Sequence, residues 1–198
     1  MKKIEQLRNE FSTTGLVSLV MDLQVKLLAG FDEQRTKVLL ESVSLFGKSM
    51  NCFGIPLAIT EQAPEKLGSS VDTIVKDFVS DSTFQKVTFS AFGSRQFCDW
   101  LEQSNFDHLL LSGIETSICI HLTALEGLKR GFCVTILSDC VLSRRDDDGT
   151  QSLRALANAG AQVISLESLI YGIMGSSDHP NFKEITSLVR NRSFSFSN

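Results

Sequence analysis

Four short runs of almost unbroken apolar residues constrain this chain most: GLVSLVMD at 15–22, IPLAIT at 55–60, DHLLLSGI at 107–114 and FCVTILSD at 132–139. A strand that faces water on one side alternates apolar with polar residues, whereas a strand covered on both faces reads as a continuous apolar run. Helical patterns separate the runs. EQRTKVLLESVSLFGKSMNCFG at 33–54 carries an apolar stripe that ends near Gly54, TSICIHLTALEGLKR at 116–130 carries two adjacent stripes, and GTQSLRALANAG at 149–160 stops at Gly160. A further short strand is expected at AQVISL, 161–166, with helices in SLIYGIM and NFKEITSLVRN. Strands alternating with helices predict an α/β fold: a doubly wound, mostly parallel sheet in three α-β-α layers, of the Rossmann-like kind.

No linker or internal repeat divides the 198 residues, so one domain over 1–198 is expected, with peripheral tails at about 1–12 and 192–198. The formal net charge of −4 argues against a general nucleic-acid binder. No apolar run is long enough to cross a bilayer, so no membrane partner is expected. MKKIEQLRNEF has charges throughout and no apolar centre, unlike a secretory signal. Five cysteines without a C-x-x-C spacing fit reduced thiols and a cytoplasmic setting.

Ligands of open parallel sheets bind beyond the carboxyl ends of the strands. Asp22 ends the first run, Thr60-Glu61-Gln62 end the second, and Gly113 ends the third, with Cys119 soon after it where a helix begins. Cys119 is either a small buried apolar side chain or a nucleophile favoured by free N–H groups and the positive end of a helix. His121 is two residues away and points to another side of the helix, His108 opens a strand at the far edge, and His179 lies in a late loop. Asp22 is therefore better placed as a base than any histidine, although a strand-end aspartate can equally cap a loop. Lys86, in a segment of neither strand nor helix periodicity, is a solvated lysine or a cation beside the other two. Phe89, Phe92, Phe31 and Phe53 belong to the core or line a substrate pocket. RRDDDG at 144–149 reads as a solvated loop with Asp148 or a neighbour capping the next helix. No phosphate-loop pattern occurs.

Together these residues resemble the isochorismatase-like cysteine hydrolases. The resemblance is carried by D-x-Q at Asp22 and Gln24, K-x-x-F-S-A-F from Lys86 to Phe92, G-I-E-T-S-I-C followed by T-A-L-x-x-L-x-x-G-F from Gly113 to Phe132, and D-C-V-L-S-R at 139–144. It runs from about Gly15 to about Gly172. It implies a catalytic triad of Asp22, Lys86 and Cys119. It also implies a cis peptide between Ile114 and Glu115, with the N–H groups of Ile118 and Cys119 as oxyanion donors. Gln24, Phe31, Glu61, Gln62 and Phe89 are the candidate substrate contacts.

The implied reaction is hydrolysis of a small amide-like substrate. A non-covalent hydrolysis of an enol ether such as isochorismate, and a non-catalytic binding role, are the alternatives. ITEQAPEKLG lacks the histidines with which nicotinamidase-like members bind zinc, so neither a metal nor another cofactor is expected. The segment T-E-Q-x-P-x-x-L-G resembles the isochorismatase domain-containing proteins instead. Assembly is common on this fold and implies a homo-oligomer.

Overall fold

The computed structural model describes residues 13–78 and 82–192. Six strands form one parallel sheet in the order β3-β2-β1-β4-β5-β6. They are β1 Leu16–Met21, β2 Leu57–Gln62, β3 Ser82–Lys86, β4 His108–Ile114, β5 Cys133–Leu142 and β6 Gln162–Ile164. The helices are α1 Glu33–Phe53, α2 Asp72–Asp77, α3 Arg95–Gln103, α4 His121–Lys129, α5 Asp146–Asn158, α6 Leu166–Met174 and α7 Phe182–Arg190, besides single turns at Val25–Leu28 and Pro64–Leu67.

The continuous apolar runs are buried on both faces because each face has its own core. On one face Leu16, Val20, Leu57, Ile59 and Leu110 meet Val43, Phe46 and Met50 of α1, with Leu169 and Ile170 of α6 and Ile185 of α7. On the other Val17, Leu19, Met21, Leu109 and Leu111 meet Phe97 of α3, Ala124 of α4 and Leu156 of α5. Alternate residues of one strand thus serve opposite layers. The doubly wound three-layer expectation holds.

The chain starts at β1, winds outward through β2 and β3, then returns to place β4 on the other side of β1. The strand order therefore reverses between β1 and β4, which is where parallel α/β sheets open a crevice. Gly113 lets the two strand ends close up. Its φ is +123°, and a Cβ there would run into the Met21 carbonyl.

Two expectations change. Residues 82–86 form a strand, although their pattern is weak. β3 pairs only with β2 and so lies at the sheet edge, and only Phe84 and Lys86 of its five residues are buried. The aspartate run 146–148 is the first turn of α5, not a loop, and no side chain caps that helix. Three carboxylates there suit the positive end of the helix. Trp100 packs among Phe84, Phe97 and Phe106.

Of the tails expected at about 1–12 and 192–198, residues 1–12 and 193–198 lie outside the described residues. Arg192 is no free tail, for its guanidinium donates to Asp139 Oδ2 at 2.9 Å and to Ser42 Oγ at 2.8 Å.

Candidate active site

Asp22 follows the last residue of β1 and takes a left-handed backbone, φ 59°. Its N–H donates to the Thr60 carbonyl at 3.0 Å, which ties the end of β1 to β2. Its side chain is fully buried, where an isolated carboxylate would be very unfavourable. Two donors compensate: Thr60 Oγ1 to Oδ1 at 2.8 Å and Lys86 Nζ to Oδ2 at 2.7 Å.

Lys86 is the last residue of β3, and strand alternation turns its side chain inward with that of Phe84. Its ammonium has no solvent exposure. Besides Asp22 it reaches Gln62 Oε1 at 2.7 Å, the Thr88 carbonyl at 3.4 Å and Cys119 Sγ at 3.8 Å. A buried ammonium must be paired and hydrogen-bonded, and here each donor has an acceptor.

Cys119 comes from the other side of the crevice. Thr116–Ile120 forms a wide π-type turn that leads into α4, and the Glu115 carbonyl accepts from Ile120 N at 3.3 Å, five residues on. Such turns are frequent at functional positions. Burial pushes the Cys119 thiol up to about 12, and the charge of Asp22 and a hydrogen bond to that carboxylate push the same way, as does Glu115; the charge of Lys86 opposes them. Burial and the neighbouring Asp22 charge thus favour the neutral thiol.

The expected cis peptide is not present: the Ile114–Glu115 bond is trans, as are the other peptide bonds among the described residues. The chain reverses instead through a left-handed Glu115, φ 59° and ψ 56°. The Ile118 N–H also has a different role from the expected one, since it donates to the Glu115 carbonyl at 2.9 Å. It helps to close the turn.

The candidate substrate contacts separate into two groups. Gln24, Glu61 and Gln62 hold the site together. Gln24 Oε1 accepts from Gln62 N at 2.7 Å, and its amide nitrogen donates to the Gln62 carbonyl at 3.1 Å and to the Gly68 carbonyl. Glu61 Oε1 accepts from both the N–H and the hydroxyl of Ser70, at 2.7 and 2.9 Å. Gln62 accepts from Lys86 and donates to the Val87 carbonyl at 2.9 Å. These three residues staple the 63–71 loop to the strand ends and fix Lys86. Phe31 packs against the core cluster of α1. Phe89 alone among them is open, 56% exposed, in the loop after Lys86.

The histidines all have other neighbours. His121 Nδ1 lies 2.7 Å from Ser152 Oγ, His108 Nε2 lies 2.8 Å from Thr135 Oγ1, and His179 stacks edge-on against Phe53. Beside the Cys119 turn lies a groove of about 800 Å3 lined by Ser117, Ile118, His121, Arg144 and Gln151, among others. Arg144 Nε contacts Glu115 Oε1 there at 2.8 Å, an ion pair that no motif announced. Among the described residues no group of three or more His, Cys, Asp or Glu side chains could hold a metal ion.

The comparisons with known proteins agree with the topology. The chain is 31% identical to isochorismatase domain-containing protein 2 of Danio rerio, over 90% of this chain and 88% of that one. It is 27% identical to isochorismatase family protein 2A of Dictyostelium discoideum over 94% of each chain. A solved structure described as MAR1 ribonuclease from Caenorhabditis elegans superposes with a TM-score of 0.84 at 27% identity, covering 94% of this chain and 96% of that one. Against isochorismatase domain-containing protein 1 of Salmo salar and of Danio rerio the chain spans about half the relative's length, 48%. The family defined by the isochorismatase domain matches residues 17–168, a span that holds the switch point and every side chain of the buried cluster, and the chain belongs to that isochorismatase-like hydrolase family.

Proposed function

We propose that this protein is a metal-independent cysteine hydrolase that cleaves the C–N bond of a small amide-like substrate with Asp22, Lys86 and Cys119. One observation carries the reading: an ammonium and a carboxylate, both without solvent exposure, meet at 2.7 Å with the Cys119 sulfur 3.8 Å from the same nitrogen. Buried ion pairs seldom add stability over an apolar replacement, so one enclosed with a thiol is better explained by chemistry.

The neutral thiol shapes the mechanism. Asp22 takes the thiol proton as Cys119 Sγ attacks the substrate carbonyl carbon, so the thiolate need not accumulate beforehand. Lys86 stays protonated and offsets the negative charge that develops. The Cys119 N–H remains the candidate backbone donor to the oxyanion. Asp22 then gives its proton to the leaving nitrogen as the C–N bond breaks. Water, deprotonated by Asp22, attacks the thioester and releases the acid and the free thiol.

Gln24, Phe31, Glu61, Gln62 and Phe89 are the candidate substrate contacts, with Phe89 the exposed one. We extend the reading to a single domain over the chain, to a cytoplasmic setting, and to a homo-oligomer. The cysteines are unpaired, and an Escherichia coli protein of the same fold, 17% identical with a TM-score of 0.78, is described as an octameric hydrolase of unknown specificity.

Cys119→Ala tests the reading. Turnover on a panel of small amides is expected to vanish while the melting temperature stays close to wild type. The elevated pKa of Cys119 gives one alternative a foothold, since a thiol held neutral could serve a non-covalent hydrolysis of an enol ether. In that case Cys119→Ala would keep activity and Asp22→Asn would lose it.

A further inference from the structure

Two charged residues near the site have no part in this mechanism. Glu115 carries its left-handed turn between β4 and the Cys119 turn, and Arg144 lies just beyond the end of β5. Arg144 Nε contacts Glu115 Oε1 at 2.8 Å, with 58% of the arginine side chain exposed but only 13% of the glutamate. A surface ion pair needs no explanation. This one joins a mostly enclosed carboxylate to the residue whose backbone builds the nucleophile turn. The Glu115 carbonyl accepts from both Ile118 N and Ile120 N, at 2.9 and 3.3 Å.

The segment that follows Arg144 holds the same turn at a second point. Ser152 Oγ, on α5, donates to the Thr116 carbonyl at 3.1 Å. That donation uses its one proton, so at 2.7 Å His121 Nδ1 must be the donor to Ser152 Oγ. The turn is therefore gripped on both sides of Cys119, through the Glu115 side chain before it and the Thr116 carbonyl and His121 around it.

We propose that the Glu115–Arg144 ion pair is a positioning device for Cys119, in which Glu115 fixes the left-handed turn that presents the thiol and Arg144 neutralises the carboxylate this places beside Asp22 and Cys119. The proposal rests on Cys119 being the nucleophile. A glutamate has no intrinsic preference for positive φ, so holding it there takes surrounding constraint, and strained residues of this kind gather at active sites. The charges facing the thiol fall into two pairs. Asp22 and Glu115 both disfavour its ionisation, while Lys86 favours it; Arg144 acts on Glu115 and so opposes it at one remove.

The test reads the pH dependence of iodoacetamide alkylation at Cys119, by peptide mass spectrometry, with exposed Cys133 as the internal reference. Glu115→Gln removes a negative charge, so the Cys119 profile should move to lower pH, with alkylation at pH 8 faster by roughly threefold, about half a pH unit. Arg144→Ala leaves the carboxylate uncompensated, so the profile should move to higher pH by a similar amount, and Arg144→Lys should restore most of it. In the double variant the Arg144 change should have little further effect, because its target is gone. A merely structural pair would lower the melting temperature without moving the two profiles in opposite directions; that result, or equal shifts of one sign, overturns the proposal. Its failure is separable from failure of the cysteine reading, which Cys119→Ala decides by turnover.

Discussion

Cys119 and Cys140 look alike by burial and by neighbours. Each thiol is buried, and each has an aspartate and a cation close by: Asp22 with Lys86 for the first, Asp139 with Arg192 for the second. Their geometries differ. Cys119 lies at the carboxyl edge of the sheet, in a turn, with its sulfur 3.8 Å from an ammonium that has no solvent exposure. Cys140 points from β5 into the core beneath α1 and α6. Its ion pair is partly open and serves the fold, for Asp139 Oδ1 accepts from Leu166 N at 2.7 Å at the start of α6, and Arg192 joins Asp139 to Ser42 of α1. The same three residue types make a candidate catalytic centre in one place and a structural tie in the other. What separates them is which edge of the sheet they occupy and whether the charged atoms face the sulfur.

Removing the cation should separate the two regions most. Lys86→Met leaves the fully buried Asp22 carboxylate with the Thr60 hydroxyl for support. Loss of one partner from a buried pair typically costs about 3–5 kcal/mol. Arg192→Met breaks a pair whose side chains are 14% and 28% exposed, and water can take over, so about 1 kcal/mol is expected. Urea unfolding of both variants measures the difference. Equal losses would mean that the Asp22–Lys86 pair is no more enclosed than the other. The double variant Asp22→Asn/Lys86→Met should recover stability, because no buried charge is left alone.

Replacing sulfur by oxygen gives a smaller contrast. Cys140→Ser puts a hydroxyl into an apolar cluster, and an unpaired buried hydroxyl costs about 1–3 kcal/mol. Cys119→Ser puts the hydroxyl near the Lys86 ammonium, 3.8 Å from the sulfur it replaces, and near the Asp22 charge, so polar partners are at hand and the loss should stay below about 1 kcal/mol. Thermal or urea unfolding decides it, and a larger loss at position 119 would show that Cys119 is held by packing more than by its carboxylate partner.

The same contrast explains how much the sequence could show. The continuous runs announced β1, β2, β4 and β5 because burial on both faces leaves an unbroken apolar string, and the strand-end rule then drew attention to Asp22 and Cys119. For Lys86 the residues leave a solvated lysine and a site cation both open, and the family resemblance favours the second. An edge strand with two inward residues, one of them a lysine, has no apolar alternation to read. The contact from Arg144 joins residues 29 apart in the chain, from beyond β5 to the turn before Cys119, and no local spacing encodes that. Gln24 and Glu61 sit at the edge that the strand-end rule indicates, and their hydrogen bonds to other strand ends and loops are not legible in the spacing. Gln24 bonds to Gln62 and to the Gly68 carbonyl, and Glu61 to Ser70, across 38, 44 and 9 residues of chain.

The smallest expected effect concerns ionisation, and its sign is informative. Burial and Asp22 raise Cys119 to about 12 from an ordinary 9.0, so the folded state holds this proton more tightly than the unfolded chain. The stability that this contributes is complete below pH 9 and is lost as pH rises toward 12. Asp22→Asn removes the charge that disfavours the thiolate and leaves Lys86 beside the sulfur to favour it. Alkylation of Cys119 at pH 8 should therefore become faster by roughly tenfold, about one pH unit, even as turnover disappears. Cys140, enclosed in the core, should stay unreactive in both proteins. A faster but idle cysteine would separate the two roles of Asp22, since the carboxylate would then be needed to move the proton during reaction and not to create a thiolate at rest. Slower alkylation in Asp22→Asn would mean that Asp22 already draws the proton away from the resting thiol, and the neutral starting state of the mechanism would have to be replaced by an ion pair of thiolate and Lys86.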